Sequence, residues 1–226
     1  MLNIAELQDR GIAGLQDSRI ALIDYGAGNL TSVRKAFAAI GAPVFVPRAP
    51  EDMLKASAIV VPGVGHFAAT RALNDGWREA ILSRVGEGRP LFGICLGMQW
   101  LFEGSDEDPD CRGLGLLAGR CFRLGSRSGP QKADTLTDRI KIPHVGWNTV
   151  ELRRNSTIVD DIGTSQMYFT HSVAAPVNAN TVGITEHGES FAAIVQRGQV
   201  AGVQFHPEKS GEAGLRILRN FVGMIG

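Results

Sequence analysis

Short apolar runs that end in turns and lead into helical stretches limit this chain's folding more than any other feature. The first run is Ile20-Ala-Leu-Ile-Asp24. The turn Tyr25-Gly-Ala-Gly-Asn29 follows, and Leu30, Val33, Phe37 and Ile40 then recur at helical spacing up to Gly41. Pro43 to Val46 and Ala58 to Val61 repeat the strand signal. Trp77, Ile81 and Val85 mark a second helix closed by Gly86, and Leu91 to Ile94 feeds straight into the helical pattern Cys95 to Phe102. Strands that alternate with helices in this way form an α/β fold with a parallel sheet covered by helices on both faces.

From Leu116 onward the pattern changes. Leu116 to Leu124, Lys141 to Leu152, Gln166 to Ala174, Thr181 to Thr185, Phe191 to Val195 and Val200 to Phe205 read as strands with no room for helices between most of them. They are expected to extend or flank the parallel sheet in antiparallel fashion. A last helix is expected from Ser210, a residue suited to an N-cap, with Leu215, Leu218, Phe221 and Val222 on its apolar face. Residues 125–138 hold Ser, Gly, Pro and Lys without periodicity and predict a mobile loop. Residues 1–18 read as an N-terminal extension and 19–226 as one domain.

The charge balance excludes several partners. Lys plus Arg and Asp plus Glu both number 23, so the chain lacks the excess of positive charge that grips nucleic acid or an anionic bilayer. No apolar run approaches the roughly 18 residues of a membrane span, and the first residues lack a basic start before an apolar block, so a cytoplasmic location is expected. Cys95, Cys111 and Cys121 are too few and too scattered for a disulfide framework, and no Cys or His spacing marks a metal site. Cys111 and Cys121 read as structural.

Cys95 reads differently. In Gly93-Ile94-Cys95-Leu96-Gly97 a strand ends at a cysteine and becomes a helix, with glycine two residues away on each side. Such a turn lifts one side chain above the carboxyl edge of a sheet, and the glycines let neighbouring elements come close enough to permit it. The unpaired amides of a helix start also favour a negative sulfur. His206 ends the run Val200 to Phe205 immediately before Pro207, at the same sheet edge, and alternation puts Glu208 where its carboxylate can orient the ring. Donors for an oxyanion are expected at the Leu96 amide and at the turn Pro62-Gly63-Val64-Gly65. Gln99, one helical turn beyond Cys95, can read a polar substrate group.

These residues resemble the class I glutamine amidotransferases, in which Gly93-Ile-Cys-Leu-Gly-Met-Gln99 is similar to the nucleophile motif and His206-Pro-Glu208 to the second motif. Asp24-Tyr-Gly-Ala-Gly-Asn-Leu30, Pro62-Gly-Val-Gly65, Pro143-His-Val-Gly-Trp-Asn148 and Tyr168-Phe-Thr-His-Ser172 narrow the resemblance to the glutaminase subunits of imidazole glycerol phosphate synthases, over about residues 19–224. The resemblance implies a flavodoxin-like sheet, L-glutamine as substrate and a Cys95-His206-Glu208 triad. It also implies backbone oxyanion contacts near Gly63, Val64 and Leu96, with glutamine held by Gln99, Glu107, His171 and Ser172. It implies no metal and no cofactor. The expected partner is a (β/α)₈ cyclase that receives ammonia through a tunnel, with Tyr168, Trp147, Asn148 and Lys209 facing it. Three features depart from the pattern: residues 1–18, Val173 where an aromatic is expected, and His66 where a small residue is common.

Two other readings remain open at the level of sequence. One is a stand-alone thiol peptidase or hydrolase on the same sheet. The other is a binding subunit that kept the fold without the reaction, which the intact Cys95, His206 and Glu208 oppose.

Overall fold

The computed structural model describes residues 19–126 and 141–225. The N-terminal extension, and the predicted mobile loop from residue 127 onward, lie outside the described residues. In chain order the elements are β1 (Ile20–Leu22), α1 (Leu30–Ala39), β2 (Val44–Phe45), β3 (Ala58–Gly63), α2 (Asp75–Gly86), β4 (Leu91–Cys95) and α3 (Leu96–Trp100). There follow β5 (Gly104–Ser105), β6 (Asp108–Arg112), β7 (Arg120–Arg123), β8 (His144–Leu152), β9 (Ser165–His171), β10 (Val173–Ala174), β11 (Thr181–Glu186), β12 (Ser190–Arg197), β13 (Val200–Val203) and α4 (Gly211–Val222).

Nine of these strands form one sheet in the order β2-β1-β3-β4-β13-β12-β11-β8-β9. The first five are mutually parallel, and β12, β11, β8 and β9 continue the sheet in antiparallel fashion. The antiparallel extension is as expected, with one correction: β13 runs parallel to β4. A strand in that place must present its carboxyl end beside that of β4, and the pairing of Val203 with Ile94 does so. A second correction concerns β7 and β10, which join the unforeseen strands β5 and β6 in a separate four-stranded sheet. The sequence of β6, Asp-Pro-Asp-Cys-Arg, has no alternating apolar pattern to announce it.

Side chains from the parallel strands alternate between two cores, as the two-residue period of a strand requires. Val60, Phe92 and Ile94 face α1 and α4, where Phe92 stacks on Phe221 at 5.0 Å. Ile59, Val61 and Leu91 face the other side with Ile81, Met98 and Trp100. Asn29 and Asn74 cap α1 and α2 by accepting from the backbone amides of Ser32 and Trp77. Ser210 precedes α4, but its hydroxyl does not cap the helix. It donates to the His206 carbonyl at 2.6 Å and accepts from the Tyr168 amide at 3.0 Å, tying α4 to β9.

Candidate active site

Cys95 stands at the junction of β4 and α3 with φ +53° and ψ −107°, a backbone conformation that L residues seldom adopt. The flanking glycines make it possible. A Cβ at Gly97 would lie 1.7 Å from the Val61 carbonyl oxygen, and one at Gly93 would lie 2.7 Å from the backbone of Gly97 and Met98. Helix α3 therefore rests directly on β3 and β4, and its first turn delivers the sulfur to the carboxyl edge. Gly63, at the end of β3, pairs with Cys95 in the sheet register, which brings the Pro62-Gly63-Val64-Gly65 turn alongside the sulfur.

His206 follows β13, the other neighbour of β4. Its Nδ1 lies 2.8 Å from Glu208 Oε1, and both side chains are 3% exposed. A carboxylate accepts, so Nδ1 carries the proton and Nε2 is buried on the other side of the ring. Burial opposes the charged ring, but Cys95 and Glu208 outweigh it and push the His206 pKa up to about 10. The arrangement is a sulfur beside an imidazole that is oriented by a buried carboxylate.

Cys95, Leu96, Gln99, Glu107, His171 and Ser172 line one cavity of about 270 Å³, together with Gly65, His66, Pro143, Thr170 and Val173. His206 is not among the residues that line it. Glu107, which the resemblance implies as a glutamine contact, accepts from the Phe67 amide at 2.7 Å and so anchors the turn that follows Gly65. The Nδ1 of His171 donates to the Val173 carbonyl at 2.9 Å, because a carbonyl can only accept. His171 Nε2 must then accept from His144 Nδ1 at 3.0 Å, and His144 Nε2 accepts from Asn148 Nδ2 at 3.2 Å. Burial holds both rings neutral, with pKa values lowered to about 3 for His171 and about 4 for His144.

Trp147, Tyr168 and Lys209 gather at one surface. The rings of Trp147 and Tyr168 meet edge to face at 6.0 Å, and Lys209 Nζ lies 5.7 Å from the Tyr168 ring centre. Asn148 projects from the opposite face of β8, as its neighbour in a strand must, and its amide bonds His144 and the Glu186 carbonyl.

Three residues escaped the reading of the sequence. Gln204 donates from Nε2 to Cys95 Sγ at 3.6 Å. The sequence shows only a polar amide inside the apolar run Val200 to Phe205; the structure buries it wholly, where an amide ordinarily has a partner. Tyr25 buries a hydroxyl that has no partner among the described residues, and His144 hydrogen-bonds His171 at the cavity wall.

Residues 21–224 match the family described as glutamine amidotransferase class-I. The chain is 41% identical over 207 residues to imidazole glycerol phosphate synthase subunit HisH of Methanothermobacter thermautotrophicus, covering 91% of this chain and 98% of that one. The chain belongs to the class I glutamine amidotransferases, in the HisH family. This HisH-family chain is also 42% identical over 212 residues to imidazole glycerol phosphate synthase hisHF, chloroplastic, of Arabidopsis thaliana, and spans 34% of that protein's length. Its fold is shared with PurLQS from Thermotoga maritima at a TM-score of 0.69, covering 93% of this chain and all of that one, at 16% identity. The flavodoxin-like sheet of the class I amidotransferases is thus the architecture of this HisH-family chain. Among its described residues no helix is long and apolar enough to cross a membrane.

Proposed function

We propose that this chain is the glutaminase subunit of an imidazole glycerol phosphate synthase and supplies ammonia for histidine biosynthesis. Cys95 Sγ attacks the carboxamide carbon of glutamine, and the developing oxyanion is met by the Leu96 amide and by backbone from Gly63 and Val64. His206 hands its Nε2 proton to the departing nitrogen, the C–N bond breaks and ammonia leaves a glutamyl thioester. Water, deprotonated by the same nitrogen, then cleaves the thioester to glutamate and returns the sulfur. Glu208 fixes the ring's tautomer and stabilises its charge throughout.

The observation that carries this reading is the sulfur on its strained elbow beside an imidazole bonded at 2.8 Å to a buried carboxylate. The cavity of about 270 Å³ that Cys95 lines lies just below the range of pockets that enclose drug-sized ligands, and suits a single amino acid. Gln99, Glu107, His171 and Ser172 are proposed to hold glutamine there. Both amide protons of Gln99 are spent on Val173 and Gln204, so its Oε1 is the atom left to read the substrate.

Ammonia that escapes into water is protonated and loses its nucleophilicity, which favours a partner docked against the site. The exposed Trp147, with Tyr168 and Lys209, is the proposed contact for a cyclase subunit built as a (β/α)₈ barrel, and a cytoplasmic location accords with that role. The test mixes the chain with a cyclase subunit and its nucleotide ligand and measures glutamate release. A large rise over the isolated chain is expected. Cys95→Ala should abolish glutamine-dependent synthesis and spare ammonia-dependent synthesis by the partner. Peptide cleavage without a glutamine requirement would overturn the reading in favour of a thiol peptidase.

A further inference from the structure

The amide orientations around Cys95 follow from one another, beginning with the carbonyl of Val173. That oxygen can only accept, so the Gln99 atom 2.8 Å from it is Nε2. The same nitrogen lies 3.2 Å from Gln204, which must therefore present Oε1, since two amide nitrogens would face each other with protons only. Gln204 Nε2 is thereby turned to Cys95 Sγ, 3.6 Å away. The backbone arrives at the same result. Val203 pairs with Ile94, so Gln204 and Cys95 are the next residues of two parallel strands that leave the sheet side by side. Phe205, between Gln204 and His206, packs on Phe169 at 5.7 Å.

We propose that the Gln204 amide is a hydrogen-bond donor to the reacting sulfur, held in that orientation by Gln99 and the Val173 carbonyl. Gln204 is wholly buried, so no water competes for the contact. An N–H donor stabilises a sulfur anion more than a thiol or thioester sulfur. Gln204 thus favours the thiolate before attack and restrains the sulfur, while His206 carries the proton. Other groups bear on the same sulfur: His206 with Glu208 behind it, Tyr25 from the turn after β1, and the Thr170 carbonyl of β9 at 4.0 Å.

The proposal rests on Cys95 being the nucleophile of the function proposed above, but its test needs no glutamine. The rate of Cys95 alkylation by iodoacetamide is followed against pH in the full chain, with the labelled peptide identified by mass. Gln204→Met keeps the side chain's length and removes the donor. Its alkylation midpoint should rise by about one pH unit or more, a tenfold change in thiolate equilibrium, and Gln204→Glu should raise it further. An unmoved midpoint in a Gln204→Met chain with native circular dichroism would overturn the proposal. If that variant does not fold, the ¹⁵N-labelled wild-type chain decides. Carbamidomethylation of Cys95 should shift the Gln204 side-chain amide protons, and unshifted signals would sink the idea. A shifted midpoint with no glutaminase activity in the presence of the cyclase would refute the proposed function and leave the Gln204 contact standing. Intact activity with an unmoved midpoint would do the reverse.

Discussion

The hydroxyl of Tyr25 occupies the place a side chain on Gly63 would take: a Cβ built there lies 1.9 Å from the tyrosine oxygen. Gly63 ends β3 opposite Cys95, so this contact fixes how closely the turn after β1 approaches the proposed oxyanion backbone. Gly63→Ala should destabilise the chain by about 1–3 kcal/mol through overpacking and reduce glutaminase activity. Tyr25→Phe removes a buried hydroxyl that has no partner, and should be neutral or mildly stabilising. The double variant should recover at least about 1 kcal/mol of the alanine penalty, read as a coupling energy from urea unfolding. Additive effects would show that the two groups do not compete for the same space.

Much of this site was legible in the chain because its parts lie on local signals. Gly93 and Gly97 announced a close approach that the contacts with Met98 and Val61 now explain, and Pro207 marked the point where a buried strand had to stop. Gln204 was invisible as a functional residue because its partner is 109 positions away, and only the β4–β13 pairing brings them together. The run Val200 to Phe205 was grouped with the antiparallel strands, although the place expected for His206 at the carboxyl edge already calls for a strand parallel to β4. An apolar run of four residues is buried on both faces in either orientation, and its sequence does not state its neighbour. Strand β5 is only Gly104-Ser105 and β6 buries only Cys111, so neither shows apolar alternation, and Arg71 and Arg120 help hold the segment.

The two buried, hydrogen-bonded rings of His171 and His144 should make the chain sensitive to mild acid. His171 and His144 have folded pKa values lowered to about 3 and about 4 by burial, against 6.5 when free. An unfolded chain therefore binds protons there that the folded chain refuses, so stability present above pH 6.5 is lost as the pH falls toward those values. Each histidine contributes a limiting slope of about 1.4 kcal/mol per pH unit. Urea unfolding between pH 6.5 and 5, above the range where carboxylates titrate, should show the loss, and His171→Gln should reduce it by about half. A flat stability across that interval would mean that the rings accept protons in the folded state.

The opposite sign applies to His206, whose folded pKa is raised to about 10 against burial by Cys95 and Glu208. Its charge stabilises the fold fully below pH 6.5, and the contribution is lost as the pH climbs from there through about 10. Glu208→Gln removes one of the two groups that hold the proton, so the alkaline limb of kcat/KM for glutamine hydrolysis with the cyclase present should move to lower pH. The ring also loses the carboxylate that fixes its tautomer, and kcat should fall by about 10²-fold, the lower end of what general acid–base help supplies. Cys95→Ala, which removes the nucleophile, should be far more severe. An alkaline limb that stays in place while kcat falls would show that Glu208 positions the ring without contributing to its charge.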